Sequence, residues 1–313
     1  MYKKSGLITY YALTPVHTGA GSSVSYIDLP VQRERHTSFP IMAGSGLKGV
    51  FRALAERDRE KGNLELNIDE IFGPEDGSKG SSCVAFTDAK ILLYPVRSVK
   101  NTFAWITCPF VLKRFKEDLE SAGKEIENFS IPEVSDDKII VALNSPLIIN
   151  NNPTNNNSNN NNSKKVGLEE FVFDVDNTQI DNNLIDLIEK IKGYIPDTET
   201  TQNLSARFAI VSDNVFTDLV NYAVEVRTRI KIDQTTGTAS SGALFTVEMV
   251  PSESIFYSLV FSDEPNNSND NSNNYTNGVI NKIKNLIDNK VIQVGGDETI
   301  GLGFVKVKFI ENN

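Results

Sequence analysis

The segment 223–233 restricts the fold more than any other. Val224, Val226, Thr228, Ile230 and Ile232 alternate there with Glu225, Arg227, Arg229, Lys231 and Asp233. That is the two-residue period of a strand with one apolar and one charged face, whereas a helix would scatter both sets round its circumference. The pattern predicts a half-buried strand in a sheet with one covered face and one wet, partly basic face. Further strands are expected at about 5–13, 83–94, 138–143, 168–175, 204–212, 243–250, 254–262, 291–294 and 303–310. Helices are expected at 46–60, 110–121, 182–192, 213–221 and 278–289. In the first of them Leu47, Val50, Phe51, Leu54 and Ala55 recur at i, i+3, i+4, i+7 and i+8, and Ser45 is placed to cap the start. Helices scattered among strands of antiparallel character give the α+β class.

Residues 150–165 are almost entirely Asn, Ser and Thr ending in two Lys, and Asp263 to Asn277 has the same polar character. Neither has apolar surface whose burial would offset the entropy of ordering a backbone, so both are expected as loops, the first disordered, within a single domain spanning 1–313. No apolar run approaches the roughly 20 residues of a membrane span. The start, Met-Tyr-Lys-Lys-Ser-Gly, leads straight into a strand-like segment, which points to a cytoplasmic protein. Cys83 and Cys108 have no CxxC partner and fit neither a disulfide scaffold nor a zinc site; packing is the expected role.

Charge gives a mixed signal. Against 31 Lys and Arg stand 41 Asp and Glu, a net charge of −10 that repels polyanions at long range. Yet Lys90, Arg97, Lys100, Lys113, Arg114 and Lys116 occur without an acid between them, and an acidic stretch begins at Glu117. A local basic patch is therefore expected, and such patches decide nucleic-acid binding.

Several segments have residue types that chemistry requires. The glycine-rich run Gly295–Gly303 lacks the Lys-Ser/Thr of a P-loop and precedes a strand, so it reads as tight turns, with glycines that also permit close ligand approach. Gly44-Ser45-Gly46-Leu47-Lys48-Gly49-Val50-Phe51-Arg52 opens a helix whose free N–H groups and two cations form either a phosphate cradle or a solvated basic face. His17 and His36 are the two histidines, so a histidine acid–base pair has to use both. Asp28 sits among apolar neighbours just before Leu29-Pro30, with Arg33 behind it. It can cap a turn, hold a divalent cation, or orient a hydroxyl beside a phosphate.

Taken in order, Pro15–Gly21, Ile27-Asp28-Leu29-Pro30-Val31-Gln32-Arg33-Glu34, Phe39–Gly49, Phe86–Ala89, Tyr94–Ser98, Phe103–Pro109, Gly242–Phe245 and Gly295–Gly303 resemble the RNA-cleaving backbone subunits of type III-B CRISPR effector complexes, within the RAMP superfamily. The resemblance implies an RRM-like, ferredoxin-type α+β core with inserted subdomains and a thumb-like hairpin. It also implies copies of the chain lined up in a filament with other subunits of the complex, on a guide RNA that pairs with target RNA. Asp28 is then the cutting residue and the ligand of a divalent metal, expected to be Mg2+. His17 would stabilise phosphorane charge, and Glu248 is the remaining candidate for an auxiliary carboxylate. Lys48, Arg52, Ser45, Gly46 and Arg33 would contact RNA, and Gly295, Gly296, Gly301 and Gly303 would let it approach. The alternatives are a non-catalytic RNA-binding scaffold of the same superfamily and a guide-processing nuclease using histidines without metal.

Overall fold

The computed structural model describes residues 2–23, 26–61, 67–124, 126–127, 129–149, 164–176, 182–263 and 274–311. Most of the Asn-rich stretch and the centre of the second polar tract lie outside these. In chain order the elements are β1 (Lys4–Ala12), β2 (Ile41–Met42), α1 (Gly44–Glu60), α2 (Ile68–Phe72), β3 (Val84–Phe86), β4 (Ala89–Arg97), β5 (Phe103–Thr107) and α3 (Pro109–Ser121). There follow β6 (Lys138–Val141), β7 (Lys165–Leu168), β8 (Phe171–Val175), α4 (Asn182–Lys192), α5 (Thr198–Arg207), β9 (Phe208–Ile210) and α6 (Asp213–Tyr222). The chain closes with β10 (Glu225–Ile232), β11 (Ala239–Met249), β12 (Ile255–Ser262), α7 (Asn274–Ile287), β13 (Val291–Gln293) and β14 (Phe304–Glu311).

The main sheet runs β13-β14-β1-β12-β4-β5-β9-β6-β8-β7. Its centre, β14-β1-β12-β4, pairs antiparallel throughout. With α1 after β1 and α7 after β12, this is the βαββαβ ferredoxin-type arrangement, and β5 through β11 form one long insertion. In β1 the side chains of Leu7 and Thr9 face one way and those of Ile8 and Tyr10 the other, yet all four are buried. Helices cover both sides. On one, Tyr257 and Lys90 both bond Asp118 of α3 at 2.8 and 2.7 Å, and the Thr9 hydroxyl donates to the Tyr194 carbonyl at 2.6 Å. Each fully buried Leu, Ile or Phe in such a layer contributes about 1.5–3 kcal/mol of transfer free energy. The expected wet face is therefore absent from the central strands, and the surface an open RRM-like sheet would offer to bases is filled with protein.

α1 buries Leu47, Phe51 and Ala55 as its period requires. Its start differs from expectation: the N-cap is Ala43, with no side-chain cap, and Ser45 sits exposed on the first turn. The carboxylate of Asp88 accepts from Gly44 N–H at 2.8 Å, so an acid already occupies part of the expected phosphate cradle. Segment 204–212 is only partly strand, because α5 runs to Arg207. Segment 168–175 is a hairpin, β7–β8. Cys83 and Cys108 are buried free thiols, and burial pushes Cys83 up to about 11.

The segment that opened the sequence reading ends up outside the sheet. β10 and β11 form a two-stranded sheet of their own. Towards the tip their apolar side stays in solvent, with Ile230 52% and Leu244 67% exposed. A lone two-stranded ribbon is marginal in water. This one is fixed at its base by a small separate core of Val247, Met249 and Leu302, with Leu29 and Phe245 against it.

Candidate functional site

The loop after β1 folds back onto the base of this hairpin. Val16 bridges Val250, Gly19 bridges Val31, and Leu29 bridges Val247 in parallel. Leu29 N–H donates to the Thr246 carbonyl, and Glu248 N–H donates to the Leu29 carbonyl, each at 3.0 Å. The loop thereby becomes a short third strand along β11, and the apolar Leu29 that follows Asp28 is drawn towards the small core.

Asp28 is held from one side. Its Oδ2 accepts from Thr246 N–H at 2.8 Å and from the Thr246 hydroxyl at 2.9 Å, and its own N–H donates to that hydroxyl at 3.0 Å. The carboxyl is exposed, and no arginine or lysine pairs with it among the described residues. The Thr246 backbone N–H, then its hydroxyl, hold the Asp28 carboxyl below the usual range. It is a firmly ionised acceptor and a weak base. In the β10–β11 register Val226, Thr228 and Ile230 oppose Glu248, Thr246 and Leu244. Asp28 therefore lies on the same face of the hairpin as the exposed apolar side chains.

Two strand positions below Thr246, Glu248 is in the opposite situation. It is 4% exposed; Oε1 meets Arg33 Nη2 at 2.5 Å and Oε2 accepts from Val31 N–H at 2.9 Å. Arg33 also donates through Nη1 to the carbonyls of Ser38 and Val220 at 2.8 and 3.1 Å. The expectation that Glu248 is an auxiliary catalytic carboxylate and Arg33 an RNA contact is corrected: they neutralise each other in the floor of the site.

His17 is buried too, and its Nδ1 donates to the Glu248 carbonyl at 2.7 Å. Its backbone carbonyl accepts from Gly296 N–H at 2.9 Å, which joins the site floor to the C-terminal glycine turn. His36 is exposed beside Glu34. One histidine is thus enclosed as a wedge and the other faces solvent, an arrangement that does not support histidine-pair chemistry.

The glycines have internal duties. A Cβ on Gly295 (φ +85°) would lie 2.3 Å from the His17 carbonyl oxygen, and one on Gly303 (φ +77°) would lie 2.1 Å from that of Val294. These two admit neighbouring protein backbone, whereas Gly301 and Gly296 stand clear of such clashes. Asp297, between them, pairs with Arg229 of β10 at 2.9 Å and ties the turn to the hairpin.

Arg52 spends its guanidinium on Glu56, Asp69 and the Gly73 carbonyl, bracing α2 against α1. The guanidinium expected to contact RNA is thus engaged within the protein. Lys48 has no ion pair among the described residues, and partial burial lowers its ammonium somewhat. Four of the six cations in the run 90–116 are likewise paired in space: Lys90 with Asp118, Arg97 with Glu169, Arg114 with Glu34 and Lys116 with Glu120. Thr246 is the functional residue that sequence reading missed; a threonine in a strand is ordinary, and only the return of the Asp28 loop gives it a role.

No group of three or more metal-binding side chains exists among the described residues. The donor set at Asp28 is one carboxylate, which matches a hydrated cation shared with substrate phosphates and not a protein cage.

A sequence description of the RAMP superfamily matches residues 9–306. The chain belongs to the RAMP superfamily. This RAMP chain is 38% identical over 320 residues, covering 99% of it and 98% of the relative, to the CRISPR system Cmr endoribonuclease Cmr4 of Pyrococcus furiosus. It is 25% identical, covering 98% of it and 99% of the relative, to the CRISPR system CMR subunit Cmr4 of Saccharolobus solfataricus. Among solved structures, oligomeric Cmr4 from Pyrococcus furiosus superposes with a TM-score of 0.73 at 32% identity, covering 99% of each chain. A type III-B Cmr-beta complex bound to cognate target RNA contains a chain of the same fold, with a TM-score of 0.71, 20% identity and 98% of each chain covered. Among the described residues of this RAMP protein, no helix is long and apolar enough to cross a membrane.

Proposed function

We propose that this RAMP chain is a backbone subunit of a type III-B CRISPR ribonucleoprotein in the cytoplasm. It binds guide RNA beside copies of itself and other subunits, and cleaves the paired target RNA at regular intervals. The observation that carries the reading is the exposed, ionised carboxylate of Asp28 mounted at the base of a projecting hairpin, on the hairpin's exposed apolar face. Apolar side chains inserted beside a base pair displace the base, and the freed ribose can rotate its 2′-oxygen into line with the adjacent phosphorus. The new bond is O2′–P and the bond broken is P–O5′; the 2′ proton leaves to solvent and the departing O5′ takes a proton from solvent, leaving a 2′,3′-cyclic phosphate and a 5′-hydroxyl. A carboxylate held below its usual range contributes orientation of that hydroxyl more than basicity.

Asp28 would supply one ligand to a Mg2+ ion, whose chemistry would be to offset negative charge that develops during the transfer. Chelation with EDTA should therefore stop cutting by the assembled complex while target binding persists, read on a denaturing gel and by filter binding. Undiminished cutting in EDTA would remove the metal from this reading. The test of the function is a target-cleavage assay on that complex, with regularly spaced products expected and a single cut site as the contrary result.

Lys48, at the start of α1, has no ion pair among the described residues. Lys48→Glu should weaken guide binding roughly tenfold and reduce the salt slope of affinity by about 1, the effect of losing one phosphate contact. Circular dichroism should be unchanged, because the side chain is outside the core. Equal guide affinity for both proteins would assign Lys48 to the solvated surface.

A further inference from the structure

The bonds around Asp28 are reciprocal and unevenly distributed. Thr246 contributes two donors to a single oxygen, Oδ2, at 2.8 and 2.9 Å. The hydroxyl has one proton, and two acceptors lie near it: Oδ2 at 2.9 Å and the Tyr26 carbonyl at 3.4 Å. The shorter, charge-assisted bond takes it. The lone pairs of the same hydroxyl receive Asp28 N–H at 3.0 Å. Both carboxyl torsions are thus fixed by one residue. Oδ2 is occupied, and among the described residues Oδ1 of this exposed carboxyl accepts no hydrogen bond from another residue.

Thr246 belongs to β11, not to the loop that carries Asp28. We infer that Thr246 is a positioning residue that locks the Asp28 carboxylate to the hairpin, so that the acid and the element that distorts the RNA move as one body with Oδ1 aimed at the ribose. This rests on the proposed cleavage function. The physical benefit is preorganisation: a carboxylate on a free loop would have to be oriented afresh at each turnover, and a misplacement of about 1 Å can cost on the order of 10²-fold. Mounting it on the hairpin fixes the cut relative to the displaced base and not to the loop's own conformation.

The test uses the assembled complex with guide and target RNA, and three variants. Thr246→Val keeps the shape and the backbone N–H bond but removes the hydroxyl; Thr246→Ser keeps the hydroxyl. Single-turnover cutting by the Val variant should fall roughly 10- to 100-fold, with target affinity unchanged, and the Ser variant should restore most of the rate. Full-rate cutting by the Val variant overturns the assignment. So does a Ser variant as slow as Val, or a rate loss matched by lost target affinity. Asp28→Asn is run alongside: if it cuts normally, the role of Asp28 fails and takes this inference with it. If it is inactive while the Val variant cuts at full rate, only the role of Thr246 fails.

Discussion

Replacing Asp28 by Ala should reduce target cleavage by the assembled complex on the order of 10²- to 10³-fold or more, the range set by loss of orientation and of charge stabilisation at one centre. Guide loading and target affinity should remain. The fold has little stake in this side chain: it is exposed and carries no ion pair. The loop keeps its bridges through Leu29 N–H to the Thr246 carbonyl and Glu248 N–H to the Leu29 carbonyl. Water can replace the carboxylate at Thr246. Separation of the two readouts is the decisive feature. Lost cutting with retained binding identifies a chemical role, whereas normal cutting by the Ala variant would make this chain a scaffold and put the nuclease elsewhere in the complex.

Glu248→Ala should behave in the opposite way, by destabilising the folded chain. Removing the carboxylate leaves Arg33 without its ionic partner, at side-chain exposures of 18% and 5% for the two residues, and strips Val31 N–H of its acceptor. Breaking one partner of a buried pair costs about 3–5 kcal/mol, and the partial solvent access of Arg33 points to the lower end. The loss should show as an earlier denaturant midpoint at unchanged slope. Arg33→Leu combined with Glu248→Met removes both charges and should recover part of it, leaving as residual costs the Val31 amide and the Ser38 and Val220 carbonyls that lose their Arg33 donor. A Glu248→Ala protein with normal stability and abolished cutting would return Glu248 to the catalytic apparatus.

Asp28 lies in a segment that carries the family resemblance and Glu248 just beyond another, Gly242–Phe245, and nothing in the spacing separates the one that is exposed from the one that is enclosed. The cause is distance along the chain: Arg33 and Glu248 are 215 positions apart and Asp28 and Thr246 are 218 apart. The same limit explains the cations. Lys48 and Arg52 look alike on α1, but Asp69, which engages Arg52, belongs to a helix the periodicity did not reveal. β5 was missed because Phe103-Ala104-Trp105-Ile106-Thr107 is covered on both sides and shows no alternation. α5 was missed because its polar sequence buries little beyond Leu204 and Thr200.

The sequence alone determined what depends on neighbours a few residues apart: the α+β class, helices α1, α3, α4, α6 and α7, most strands, and the ordered motifs that single out Asp28. Tertiary structure decided what each face meets. The apolar stripe of Val226, Ile230 and Leu244 stays in water because, among the described residues, no third layer reaches it, and His17 and Glu248 go inside because the loop after β1 closes over the hairpin base. Periodicity states which side chains share a side; whether that side is covered, and by which charge, is set by long-range chain return.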